Sequence, residues 1–265
     1  MTQHFNMAYQ DSAGGLTMLM IHGFPLSSSM WEMQLDDLSE LVRIIAPDLR
    51  GHGFSEAEPP YSIAQYADDC ITLLDSLGVT DKVVVCGLSM GGYVALDIVR
   101  RFPDRVAALV LTATRAAPDD DDGKANRDKA IASVAKHGTE PLVKAMLPKL
   151  FSPTTLEMSP ELGDILEAMM ESVPTEGVVG ALEAMRDRVD SRPLLSEIDC
   201  PTLIIHGVDD QIVPLAEAEA MAAAIPDTEL VVLADAGHLP PIEQPEEFNR
   251  ALARFLITTF GDDEE

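Results

Sequence analysis

One serine stands among three glycines in CGLSMGGY, residues 86–93, between the apolar run KVVV and an amphipathic stretch. Glycine costs backbone entropy wherever it is fixed, so three within six residues mark a path that side chains would obstruct. Residues 87–91 spell G-L-S-M-G. That pattern forms a nucleophile elbow when a buried strand precedes it and a helix follows. A tight turn there lifts the Ser89 hydroxyl to the carboxyl end of a sheet. It also sets the next backbone N–H at a helix N-terminus, where negative charge is favoured. A bare G-x-S-x-G arises by chance in many chains, and a purely structural turn is the bland alternative. The flanking strand-like and helix-like segments favour a nucleophile.

A serine hydroxyl attacks poorly at neutral pH without a base in hydrogen-bond reach. Six histidines compete. His4 lies near the terminus, and His137 sits on a surface segment beside Gly138. His22 and His206 each end an apolar run before glycine, as satisfied structural imidazoles do. His52, in the glycine-rich DLRGHGFS, is a weaker rival. His238, in the loop DAGHLPPIEQP after the last apolar run, is the expected base, because such loops carry function on a rigid scaffold. A base needs a carboxylate to hold its tautomer and stabilise the imidazolium. HGVDDQIVP offers Asp209 and Asp210. Asp210, four residues before Pro214, is favoured, and Asp209 suits a helix-capping turn. The segment GFPLSSSMW after TMLMIH places Gly23 where backbone can approach closely. The amides of Phe24 and Met90 would then face a developing oxyanion. Trp31 is expected either to line the substrate pocket or to anchor the first helix in the core.

These residues need a scaffold that brings distant segments to one edge. The runs at 17–22, 42–47, 82–87, 107–112, 201–207 and 229–235 are rich in β-branched residues and lack strict alternation. Strands buried on both faces of a parallel sheet have that character. Helical periodicity separates them. In residues 63–78, Ile63, Tyr66, Ala67, Cys70, Leu73, Leu74 and Leu77 share one face, and Gly78 ends the helix. Helices also fit 90–102, 215–225 and 245–260. Alternating strand and helix predict an open α/β sheet. From 116 to 196 no strand pattern appears, only the acidic run DDDD (119–122), prolines and methionine-rich helical stretches including Met146, Met169, Met170 and Met185. The expected organisation is a core of residues 1–115 and 197–265 with a helical cap inserted at 116–196.

The net charge of −27 disfavours nucleic acid and anionic membranes as partners. It also fits a high-salt habitat, where screening relieves self-repulsion. No apolar run approaches the ~18 residues of a membrane span, and no export signal is visible, so a cytoplasmic protein is expected. Cys70, Cys86 and Cys200 form an odd set without paired spacing and are expected as free thiols that pack. No metal or other cofactor is expected, since no clustered Cys/His spacing occurs. Oligomeric state is left open.

HGFPLSSSMW, PDLRGHGFS, CGLSMGGYVAL, PTLIIHGVDDQIVP and AGHLPPIEQPEEF occur in that order. Together they resemble the α/β-hydrolase superfamily, in its branch of small cofactor-free esterases, enol-lactone hydrolases and arylesterase/perhydrolase-like proteins. The resemblance covers about residues 15–115 and 197–260. It implies an α/β-hydrolase fold: a mostly parallel open sheet with helices on both faces and an inserted helical cap. It further implies Ser89 as nucleophile, Asp210 as acid, His238 as base, Phe24 and Met90 as oxyanion donors, and a cis Phe24–Pro25 bond. The chain order Ser89, Asp210, His238 is the order of that superfamily. Dehalogenase and epoxide hydrolase members carry aspartate at the elbow, so serine here points to acyl transfer. A neutral, medium-sized carboxylic ester is the expected substrate, with Met146 and Met169 lining an adaptable apolar pocket. Lys149 or Arg115 would serve an anionic substrate. Lactone or enol-lactone hydrolysis, with perhydrolase side activity, is the alternative within enzymes. A slow ligand-sensing protein is the alternative outside them.

Overall fold

The computed structural model describes residues 6–261. Its strands are β1 (Tyr9–Asp11), β2 (Thr17–Ile21), β3 (Arg43–Pro47), β4 (Val83–Leu88), β5 (Val106–Thr112), β6 (Thr202–Gly207) and β7 (Thr228–Leu233). They form one sheet in the order β1-β3-β2-β4-β5-β6-β7. All neighbours run parallel except β1, which pairs antiparallel with β3, Tyr9 opposite Pro47. The six strands expected from the apolar runs are present within a residue or two. The edge strand β1 is additional. Tyr-Gln-Asp has no apolar pattern, and the strand is held by its ladder and by Arg43, whose guanidinium grips both Asp11 carboxylate oxygens at 2.9 and 2.6 Å.

Side-chain alternation along the strands feeds two separate cores. Leu19, Ile21, Val83, Val85, Leu109, Leu111 and Ile204 bury on one face, whereas Met18, Met20, Val84, Cys86, Val110, Leu203 and Ile205 bury on the other. The inner strands β2 to β6 are buried on both faces, which explains their near-continuous apolar sequences. At the edge β7 is mostly half-buried and Val232 is exposed, so the expectation of double burial fails there because no strand flanks it on its outer side. The helices are α1 (Glu32–Leu38), α2 (Ile63–Ser76), α3 (Met90–Arg101), α4 (Asp121–His137), α5 (Glu140–Met146), α6 (Pro153–Met158), α7 (Glu161–Glu171), α8 (Thr175–Arg186), α9 (Leu215–Ala224), α10 (Pro240–Glu243) and α11 (Pro245–Phe260). α2 and α3 cover the first face, and α1 and α11 the second. α2 starts where the Ser62 hydroxyl accepts the Gln65 N–H at 3.0 Å.

Between Thr112 and Thr202 the chain forms α4 to α8 and no strand. The DDDD run is divided by position. Asp119 is buried and pairs with Arg115 at 2.7 Å, Arg127 at 3.0 Å and Arg188 at 2.9 Å. Asp120 caps α4 by accepting the Gly123 N–H, and Asp121 and Asp122 occupy the first helical turn. Among the described residues, no helix is long and apolar enough to cross a membrane.

Candidate active site

The strand order reverses around β2 and β4, and the loops leaving such a point open a crevice at the carboxyl edge of a parallel sheet. β2 and β4 are paired with Ile21 opposite Gly87, so the Gly23–Phe24 loop and Ser89 leave the sheet side by side. Ser89 adopts φ 53°, ψ −111°, a sparsely populated region for a residue with a Cβ. Several bonds hold it there. Its N–H donates to Thr112 O at 2.9 Å, and its carbonyl accepts from Gly92 N at 2.9 Å and from the Thr114 hydroxyl at 2.8 Å. The glycines are required by approach. A Cβ on Gly87 would sit 2.2 Å from Gly91 O, and one on Gly91 would sit 2.2 Å from Ile21 O. One on Gly92 would meet the Thr114 hydroxyl oxygen at 2.4 Å.

β6 and β7 are paired through Gly207 and Leu233, so the loops carrying Asp210 and His238 also emerge together. The Ser89 Oγ lies 2.9 Å from His238 Nε2, and His238 Nδ1 lies 2.8 Å from Asp210 Oδ2. A carboxylate only accepts, so Nδ1 carries the proton. That leaves Nε2 to accept from the Ser89 hydroxyl. Asp210 Oδ1 accepts the N–H groups of Ile212 at 2.8 Å and Val213 at 2.9 Å. Burial alone would raise the Asp210 carboxyl, but His238 and these two donors outweigh it and hold it below the usual carboxylate value. Asp209 does not cap α9: the N-cap is Pro214, without a side-chain bond, and the turn is closed by Asp210 itself.

The other imidazoles have separate work. His206 is buried, with its Nε2 donating to Val213 O at 2.9 Å and standing 3.5 Å from Asp210 Oδ2, so it props the Asp210 loop from behind. His22 accepts the Leu49 N–H on Nε2 at 2.9 Å and donates from Nδ1 to Gly23 O at 2.8 Å. His52 is fully buried, with Nδ1 bonded to Arg50 O and its ring 5.0 Å from that of His22. Burial, reinforced by His22, pushes the His52 imidazole down to about 3. His137 is exposed at the end of α4, and His4 lies outside the described residues.

Phe24 and Met90 are buried beside the elbow, and among the described residues no acceptor engages either backbone N–H. The Phe24–Pro25 peptide is cis. Trp31 is corrected as a pocket residue. It is fully buried in the second core, its ring 6.3 Å from Phe248, because the turn that carries it packs against the C-terminal helices. Met146 and Met169 are half-buried; Met146 packs against both cores and Met169 against the second. Arg115 is committed to Asp119, whereas Lys149 is exposed. Cys70 and Cys86 are buried and Cys200 half-buried; all three are free. Burial pushes the Cys86 thiol far up, which leaves it as packing beside the elbow.

Comparison with known proteins decides the family. A family model described as "Alpha/beta hydrolase family" matches residues 18–251. The chain belongs to that family. It is 32% identical over 226 residues to "3-oxoadipate enol-lactonase 2" of Acinetobacter baylyi, covering 84% of this chain and 82% of that one. The solved structure of a thermophilic esterase from Thermogutta terrifontis, with malate bound, is 42% identical. It superposes with a TM-score of 0.93 over 96% of this chain and 93% of that one. The enol-lactonase from Burkholderia xenovorans LB400 superposes at 0.87, with 29% identity over 94% of this chain and 96% of that one. This α/β-hydrolase therefore has both esterases and enol-lactonases among its relatives.

Proposed function

We propose that this α/β-hydrolase is a serine hydrolase that cleaves neutral, medium-sized carboxylic esters through an acyl-enzyme. The observation that carries the proposal is the unbroken relay from Ser89 Oγ to His238 Nε2 and from His238 Nδ1 to Asp210 Oδ2. Ser89 attacks the ester carbonyl while His238 takes its proton, and the carbonyl oxygen becomes an oxyanion facing the free N–H groups of Phe24 and Met90. The imidazolium is stabilised by Asp210. As the tetrahedral intermediate collapses, the C–O bond to the alcohol breaks and His238 returns its proton to the leaving oxygen. Water, deprotonated by the same imidazole, then attacks the acyl carbon and releases the acid and Ser89. Residues 116–196 serve as the cap, with Met146 and Met169 on its apolar wall.

The 42% identity to an esterase supports ester cleavage. Lactone or enol-lactone hydrolysis is the second reading, and the enol-lactonase relative favours it. In that case the leaving oxygen stays tethered to the acyl group. Initial rates on p-nitrophenyl esters of graded chain length and on simple lactones separate the two, with Ser89→Ala as control. Wild-type turnover on esters is expected to vanish almost entirely in a Ser89→Ala protein that remains folded. Turnover far below about 1 s⁻¹ on every ester and lactone would sink the proposal.

A further inference from the structure

Four donors converge on one carboxylate that the relay itself does not include. Glu243, at the end of α10, accepts on Oε1 the backbone N–H groups of Gly237 at 2.8 Å and Leu239 at 3.0 Å, the two residues flanking His238. On Oε2 it accepts the Ser152 N–H at 2.6 Å and the Thr155 hydroxyl at 2.9 Å, both from the inserted segment at the start of α6. An ionised carboxylate offers about four lone-pair sites, and all are filled. From the sequence, Glu243 is one of several acidic residues in PIEQPEEF and carries no distinguishing signal.

The same two segments meet at further points. His238 donates its own backbone N–H to Leu150 O at 2.9 Å. The Ser152 hydroxyl donates to Asp235 O at 2.9 Å, and Asp235 itself is held at φ 56°. A Cβ on Gly237 would lie 2.6 Å from Ser152 N and 2.7 Å from the Phe151 carbonyl carbon, so the two backbones touch with no room between them.

We propose that Glu243 is a positioning residue that locks the His238 loop to the inserted segment 150–155, so the general base is set by the insertion as well as by the sheet. This rests on His238 being the base for Ser89, as proposed above. The core supplies only one covalent tether on each side of the loop, namely β7 and α10. On the β6 side the loop is held by the Asp209 N–H to Ala236 O bond at 2.9 Å and the ring by Asp210 at 2.8 Å. On the opposite side, lateral placement of the imidazole, on which the 2.9 Å contact to Ser89 depends, comes from Glu243 and Leu150. A shift of segment 150–155 would therefore move the base, and substrates that press on this segment would act on kcat as well as on KM.

Glu243→Gln tests the bridge. The glutamine keeps the shape but has one acceptor oxygen, so its amide nitrogen must face either the His238 loop or the 150–155 segment, donor against donor. Three readouts are expected to move. Amide hydrogen exchange should quicken at Gly237 and Leu239, or at Ser152, while β4 and β5 keep their protection. The downfield proton resonance of the His238 Nδ1–H to Asp210 bond should shift or broaden. Ester kcat should fall roughly 10–100-fold with a smaller change in KM, since about 1 Å of displacement in a catalytic group can cost 10²-fold. Wild-type exchange and resonance in Glu243→Gln would overturn the proposal, and so would an unchanged kcat in an enzyme with Ser89-dependent turnover. If the wild type shows no Ser89-dependent turnover, the esterase reading fails, whereas the exchange experiment still decides the bridge. Should Glu243→Gln not fold, Thr155→Val removes a single donor from the same carboxylate. It is then expected to lower kcat about threefold or more with faster exchange at Gly237 and Leu239, and wild-type values for both would overturn the bridge.

Discussion

Asp210→Asn is the sharpest perturbation of the relay, because the fold leaves the asparagine little choice of orientation. In the native protein Oδ1 accepts two backbone N–H groups, from Ile212 and Val213, and Oδ2 accepts the His238 Nδ1–H. Asparagine has one oxygen. Turned toward histidine, that oxygen would leave two buried N–H groups facing an NH₂, at about 1–3 kcal/mol for each unmatched donor. Turned toward the two amides, it confronts His238 with the NH₂ instead, at the cost of one mismatch. The second orientation is preferred, and the mismatch is relieved if His238 moves its proton from Nδ1 to Nε2. The imidazole then donates to Ser89 Oγ and can no longer take its proton. A misplaced tautomer of this kind lowers kcat by about 10⁴-fold, roughly 5 kcal/mol of barrier. The assay is single-turnover release of p-nitrophenol from the best ester of the panel, beside a thermal melt showing that the variant is folded. A loss smaller than about tenfold in a folded protein would refute the role given to Asp210.

Two further outcomes concern stability. The neutral His52 imidazole is buried and titrates near 3 in the fold, below its ordinary value of 6.5. Its contribution is therefore fully present above about pH 6.5 and is lost as pH falls toward 3, at roughly 1.4 kcal/mol per pH unit. Urea melts across that range should show a shallower acid slope in His52→Gln by close to one proton, and an identical slope would remove His52 from the account. With a net charge of −27, added sodium chloride should stabilise the protein by screening self-repulsion. Each 1 kcal/mol gained would raise Tm by about 2–4 °C, and a Tm indifferent to salt would exclude that effect.

The parts of the site that could be read from the sequence are those whose local chemistry is unusual. Three glycines around Ser89 report a backbone crowded from several sides, and the contacts of 2.2–2.4 Å that any added Cβ would make bear this out. Apolar runs without alternation report strands covered on both faces, and the two cores are where those faces lie. That His238, and not another imidazole, comes within reach of Ser89 and Asp210 could be read as well, since His22 lies at the end of a buried strand and His206 within one, while His238 sits in a loop beyond the last one. β1 was not legible, because a three-residue edge strand is defined by its partner's ladder and not by its own pattern. Trp31 was ambiguous for a related reason. An indole next to an oxyanion loop can face the pocket or the core, and here the packing of Phe248, more than 200 positions away, puts it in the core.

The sequence by itself determined the α/β scaffold, through apolar runs and helical periodicity in alternation, and it singled out the serine, aspartate and histidine on which the proposed chemistry rests. Tertiary structure decided which atoms meet. The relay spans β4, β6 and β7, and its distances depend on a strand register that no local pattern encodes. The four bonds on Glu243 depend on two loops, separated by more than 80 residues, being pressed together. An acidic chain gives no hint of which carboxylate will gather four donors, because the donors are supplied by neighbours that only folding brings near.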